Sequence, residues 1–225
     1  MQFNMNNTLF MKNKHFQNCI FIPLFILSQT AVLDPPTPCR DLMIVMDSSG
    51  SLQDQGRQGY RPVKDFVMGV IDKYYSGGRG QRLGVLQYSE TAQELLAFMN
   101  HGDRSGYAIN TVDAARHMNG LTNVEEAFKM ATNMTDGAPA ASYAILFLTD
   151  GESNRGRDGR EVLEEQEQLM ADNLNVLMSV FLTDTFENEQ DDMRMVMPDE
   201  RQLYVELFED LPTEDNENWV INQVC

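Results

Sequence analysis

The sequence predicts an α/β fold: an open, doubly wound, mostly parallel sheet with one antiparallel edge strand and helices on both faces. Two kinds of segment carry that expectation. Short, nearly continuous apolar runs recur along the chain, as strands buried on both faces require. Segments with apolar residues at helical spacing lie between them, and strands that alternate with helices build a sheet covered on each side. The chain has 225 residues, enough for one substantial domain and little beyond it.

The elements follow in order. Residues 1–30 read as a secretory signal peptide, in which Lys12, Lys14 and His15 precede an apolar core over 20–27 and Ser28 and Thr30 follow it. That core falls far short of the roughly 20 apolar residues that span a bilayer, so no membrane insertion is expected. Residues 31–40 form a short lead-in stiffened by Pro35 and Pro36, and the main domain is expected over 41–225. DLMIVMD, Asp41–Asp47, is the first strand. Val63, Phe66, Val67, Val70, Ile71 and Tyr74 then share one helix face, with Pro62 in the first turn and Gly77-Gly78 as the stop.

RLGVLQYS (82–89) and ELLAF (94–98) are close enough to form a hairpin. A second helix carries Val124, Ala127, Phe128 and Ala131, and a third carries Val162, Leu163, Gln166, Leu169 and Met170. The strands YAILFLT (Tyr143–Thr149) and VLMSVFL (Val176–Leu182) flank that third helix. The last segment, 215–224, is expected to be a closing helix that packs Trp219 on the sheet and returns Cys225 to the first strand.

Charge and cysteines narrow the function. The formal net charge is −17, and two lysines leave with the leader, so the surface repels nucleic acid and anionic lipid. The acidic stretches DTFENEQDD and FEDLPTEDNEN fit no EF-hand spacing and read as solvated faces. Cys19 lies within the leader, which leaves Cys39 and Cys225, an even count expected to pair in an exported chain. Asn133-Met134-Thr135 is an N-glycosylation acceptor triplet, meaningful if the chain is secreted.

Ligands of such sheets bind beyond the carboxyl ends of the strands, near the point where strand order reverses. Three loops meet that condition: DSSGS after the first strand, GLTN (120–123) before the second helix, and TDGES (149–153) after the central strand. They bring two carboxylates, Asp47 and Asp150, and three hydroxyls, on Ser49, Ser51 and Thr122. An all-oxygen set suits a hard divalent cation such as Mg2+ or Mn2+, whereas zinc prefers nitrogen or sulfur.

These residues resemble the metal-ion-dependent adhesion site (MIDAS) of von Willebrand factor type A (vWA) domains. The family pattern is Asp-x-Ser-x-Ser, then a distant Thr, then a distant Asp, and every element is present over a similarity that runs from about 41 to 225. The resemblance implies that Ser49, Ser51 and Thr122 bind the cation directly while Asp47 and Asp150 act mainly through bound waters. It implies a secreted module that binds an extracellular protein ligand, such as a matrix protein of the collagen kind, through a carboxylate offered to the cation. The alternative is a structural or assembly module whose metal site binds no partner. Three departures bear on the ligand: Gly120-Leu121-Thr122 stands where the family usually has Gly-Gly-Thr, LTDTF with Asp184 adds an acid where many members have a Gly-containing turn, and the stretch 52–60 is a few residues longer than usual.

Enzyme readings fail on missing parts. A phosphatase of the Asp-x-Asp type needs a second acid where this chain has Ser49, and the Walker phosphate loop is absent. A serine nucleophile needs a base, yet His101 and His117 lie outside the strand-end loops and read as packing or surface residues. Most of the 15 methionines sit in apolar runs as core filler, and MRMVM (193–197) is the one cluster without an assigned place.

Overall fold

A computed structural model describes residues 38–56, 59–76, 81–101, 105–138, 143–150, 153–182 and 195–225. The chain divides into two units, Met1–Pro35 and Pro36–Cys225, and every described residue belongs to the second. The signal peptide over 1–30, Gly77-Gly78, Asp184 and the acidic 184–192 segment lie outside the described residues, as do the first two residues of the Met cluster.

Six strands form one sheet: β1 (Asp41–Asp47), β2 (Arg82–Tyr88), β3 (Ala92–Asn100), β4 (Tyr143–Thr149), β5 (Val176–Leu182) and β6 (Gln202–Val205). Their order is β3-β2-β1-β4-β5-β6. All neighbours run parallel except β3, which is antiparallel to β2 at one edge. The helices are α1 (Tyr60–Ser76), α2 (Ser105–Ala114), α3 (Val124–Thr135), α4 (Gly159–Asp172) and α5 (Glu214–Val224).

The side-chain period of two along a strand divides the core. Leu42, Ile44 and Met46 of β1 face a cluster with Val63, Phe66, Val67 and Val70 of α1, Ala108 and Val112 of α2, and Val220 and Val224 of α5. Met43 and Val45 face the other way, toward Val124, Phe128 and Ala131 of α3 and Val162 and Leu163 of α4. Both faces are therefore covered, and all seven β1 residues are buried. The doubly wound, mostly parallel sheet with an antiparallel edge is the architecture expected from the sequence. Trp219 packs, partly buried, against the first cluster. Leu169 differs from the expected helix face, since it is 46% exposed and Met170 takes the inward position.

The lower end of the sheet is tied in several ways. Arg82 donates through its backbone N–H and its guanidinium to the Asp41 carboxylate at 2.6–3.0 Å. Tyr74 Oη donates to the Arg40 carbonyl at 2.8 Å and accepts from Gln81 N–H at 2.9 Å. Cys39, just before β1, is disulfide-bonded to Cys225 at the end of α5, and Arg40 N–H donates to the Val224 carbonyl at 2.8 Å.

Candidate metal site at the strand ends

Topology fixes where the site forms. From β1 the chain winds outward through β2 and β3, then returns to the other side of β1 for β4, so the order reverses between β1 and β4. Met46 pairs with Leu148, which sets Asp47 level with Thr149 and puts Asp150 just beyond the strand. On its other side Asp47 pairs with Tyr88.

The DSSGS loop folds back on its own acid. Ser49 N–H donates to Asp47 Oδ1 at 2.7 Å, and the Ser49 and Ser51 hydroxyl oxygens lie 2.9 Å apart. The chain continues as a short 3₁₀ turn, Gly50–Gly56. Asp47 has no exposed surface. Tyr88 Oη donates to Asp47 Oδ2 at 3.2 Å, and Thr149 Oγ1 sits 3.5 Å from the same oxygen. Burial raises the Asp47 pKa above its ordinary value; hydrogen bonds from Ser49, Tyr88 and the Asp150 backbone N–H oppose the shift without cancelling it. Burial, with the nearby Asp47 and Asp150 charges behind it, pushes the Tyr88 phenol well above its ordinary range, so Tyr88 stays a neutral donor.

The GLTN loop is hung between its neighbours. Asn119 N–H donates to the Ser48 carbonyl at 3.0 Å, and Gly50 N–H donates to the Gly120 carbonyl at 2.8 Å. Ser89 Oγ donates to the Leu121 carbonyl at 3.0 Å, while Asn123 N–H donates to the Ser89 carbonyl at 3.0 Å. Gly120 permits this approach, because a Cβ there would meet Ser89 Oγ at 2.6 Å. Asn123 then caps α3 by accepting the Glu126 N–H at 3.2 Å. Leu121, which replaces the family's usual glycine, is 44% exposed and stands on the rim.

Thr122 is 1% exposed, and its Oγ1 has no hydrogen-bond partner among the described residues. Leaving a buried hydroxyl unsatisfied costs about 1–3 kcal/mol, so such an atom calls for a ligand. Asp150 is buried as well, at 4%. Among the described residues no group of three or more His, Cys, Asp or Glu could hold a metal. What these loops offer is oxygen: two carboxylates and the hydroxyls of Ser49, Ser51 and Thr122, a donor set that fits a hard cation.

The structure brings the loops bearing Asp47, Ser49, Ser51, Thr122 and Asp150 to one end of the sheet. Asn133 lies elsewhere, exposed on α3, with the Thr135 hydroxyl bonded to the Ala131 carbonyl at 3.0 Å. Sequence reading passed over Tyr88 and Ser48, and it took His117 for a packing or surface residue. Ser48 Oγ accepts the Met118 N–H at 2.9 Å, and His117 Nε2 lies 2.7 Å from the Ser49 carbonyl with its ring against Tyr60. His117 thus packs directly on the DSSGS loop. Tyr88 had one legible signal, its place at the end of the strand next to β1.

A doubly wound sheet with acids and hydroxyls gathered on the loops at its switch point defines a class of α/β domain. The chain belongs to the von Willebrand factor type A domain family, whose model matches residues 41–212. Among curated proteins it is 27% identical to the collagen alpha-1(XX) chain of Mus musculus, over 59% of this chain and 10% of that one. It is 27% identical to mouse integrin alpha-11 over 57% of this chain and 11% of the integrin. It is 32% identical to mouse matrilin-2 over 49% of this chain and 12% of matrilin-2. The matched region is thus about a tenth of each relative's length.

Proximal thread matrix protein 1 from the mussel byssus shares the fold, with a TM-score of 0.66 at 18% identity over 82% of this chain and 48% of that one. Another structure of that protein has a zinc-occupied MIDAS motif.

Proposed function

We propose that this domain is a secreted adhesion module that binds an extracellular matrix protein through an acidic side chain presented to a divalent cation. Ser49, Ser51 and Thr122 hold the cation through their hydroxyls, and Asp47 and Asp150 hold it through waters. One observation carries the reading: the buried Thr122 Oγ1, without a hydrogen-bond partner among the described residues, in a loop bonded to the one that leaves the buried Asp47. When bound, the cation supplies an open coordination position for a carboxylate from the partner.

The protein's own groups do the rest. Neutral hydroxyls leave the charge of the ion largely uncompensated, whereas two direct carboxylates would weaken its pull on an incoming acid. Asp47, oriented by Ser49 N–H and Tyr88 Oη, stands behind the hydroxyls. The oxygen donor set favours Mg2+ or Mn2+ over zinc. The collagen, integrin and matrilin relatives support a matrix or adhesion setting. The reading of residues 1–30 as a leader, and the disulfide, support export. In that setting Asn133 is the proposed glycan acceptor, and no reaction is assigned to the domain.

Melting curves test the reading. Mg2+ or Mn2+ is expected to raise the melting temperature and EDTA to remove the rise, while Asp47→Ala melts at the same temperature with or without metal. A wild-type curve indifferent to EDTA sinks the cation reading and leaves a structural module. A pull-down from extracellular protein, with and without EDTA and with Asp150→Ala as control, then tests the partner.

A further inference from the structure

Thr122 is held from a side that its own loop does not supply. Its N–H donates to Asn154 Oδ1 at 2.8 Å. Its carbonyl accepts the N–H of Asn154 at 3.2 Å and of Arg155 at 3.1 Å. Both backbone polar groups of Thr122 are thus satisfied by the segment that follows Asp150, and Oγ1 is its one polar atom without a partner among the described residues.

The frame around this contact is tight. Ser89 holds the carbonyl of Leu121 and the N–H of Asn123, the residues on either side of Thr122. Arg155 reaches Glu90, the residue after Ser89, at 2.9 Å, though both side chains are about half exposed and the pair adds little by itself. Gly156 has φ +83°, and a Cβ there would meet Asn123 Oδ1 at 2.6 Å, so only glycine lets the segment turn against the α3 cap. Within that frame one side-chain bond is decisive. The N–H groups of Asn154 and Arg155 would reach the Thr122 carbonyl whatever side chains they carried, but among the described residues it is the Asn154 side chain, through Oδ1, that receives the Thr122 N–H.

We infer that Asn154 is the positioning residue for Thr122: its amide oxygen fixes the Thr122 backbone, hence the direction of Oγ1. It also couples the loop bearing Thr122 to the loop bearing Asp150. This rests on Thr122 as a cation ligand. Without the acceptor, the Thr122 N–H loses its partner at 2.8 Å and the loop turns to find another. Groups that orient a metal ligand from behind typically matter 10- to 100-fold in metal affinity.

Calorimetric titration of the full chain with Mg2+ and with Mn2+ tests the inference. Asn154→Ala is expected to weaken binding about ten-fold while changing the melting temperature in EDTA little. Asn154→Asp keeps an oxygen acceptor for the Thr122 N–H and is expected to bind at least as tightly as wild type. In a Thr122→Ala background, Asn154→Ala is expected to cause no further loss, because a residue that acts only through Thr122 has nothing left to position. Additive losses overturn the inference, as does an Asn154→Ala protein that binds like wild type while Thr122→Ala binds weakly; both leave the cation site standing. Metal binding unaffected by either Asp47→Ala or Thr122→Ala overturns the cation site and the inference together.

Discussion

Tyr88 Oη points its proton at Asp47 Oδ2, 3.2 Å away, in a region from which both side chains exclude all solvent. The pair spans the β1–β2 ladder, where Asp47 and Tyr88 are register partners. The tyrosine is thus the wall behind the acid, and its ring stacks on Phe147 at 5.8 Å. Tyr88→Phe keeps the ring and removes the donor. The metal-free protein is expected to lose about 1–3 kcal/mol in urea unfolding at neutral pH, the cost of a buried acceptor deprived of its partner. An unchanged unfolding midpoint would show that Asp47 does not depend on this hydroxyl.

Gly120→Ala tests the close approach of the threonine loop. The added methyl meets Ser89 Oγ, which already donates to the Leu121 carbonyl, so one of the two must give. Overpacking of this kind costs about 1–3 kcal/mol, and metal affinity is expected to fall with it. By contrast, Leu121→Ala touches a rim side chain and should leave stability within about 0.5 kcal/mol, with the response to Mg2+ intact.

Reducing the Cys39–Cys225 bridge opens a loop of 186 residues. The chain-entropy model puts the loss at about 5 kcal/mol, and native disulfides removed from secreted domains typically cost 2–5 kcal/mol. Chemical unfolding with and without reductant, or of the Cys39→Ser/Cys225→Ser protein, measures it. A loss well under 1 kcal/mol would mean that the Asp41–Arg82 and Tyr74 contacts hold that end by themselves.

Glu217 on α5 offers a test of sign. Its carboxyl lies over Gly69 of α1, and Lys73 is 3.7 Å away. Burial raises its pKa above the ordinary value, and Lys73 opposes this without reversing it. A carboxyl with a raised folded-state pKa favours folding fully below its unfolded pKa, and that contribution is lost as pH rises through the folded value. Glu217→Gln is therefore expected to be at least as stable as wild type at pH 7, with the difference fading as pH falls toward about 4. A Gln variant less stable at pH 7 than at pH 4, relative to wild type, contradicts this.

The long apolar strands were legible because burial on both faces writes itself as an unbroken run. β1, β4 and β5 have the bounds expected from DLMIVMD, YAILFLT and VLMSVFL. Two elements were not legible. α2 reads SGYAINTVDA, with a glycine, three β-branched residues and only Ala108 and Val112 buried, so its apolar stripe is too thin to show a period. β6 has four residues, and only Val205 among them is buried. The residues of the candidate site announced themselves through the Asp-x-Ser-x-Ser spacing, the places of Asp47 and Asp150 after strands, and the place of Thr122 just before a helix. Tyr88 and Asn154 did not, because one is reached by cross-strand register and the other by a side-chain bond to the backbone of a loop far away in sequence.

The disulfide also has a mechanical reading. Cys39 stands at the amino end of β1 and Asp47 at its carboxyl end, seven strand residues apart from Asp41 onward, or roughly 20 Å. Tension applied across Cys39 and Cys225 runs through a covalent S–S link and bypasses the hydrogen-bonded sheet above it. The strand-end loops sit off that load path, so a domain pulled at its base keeps the crevice at its far end in register.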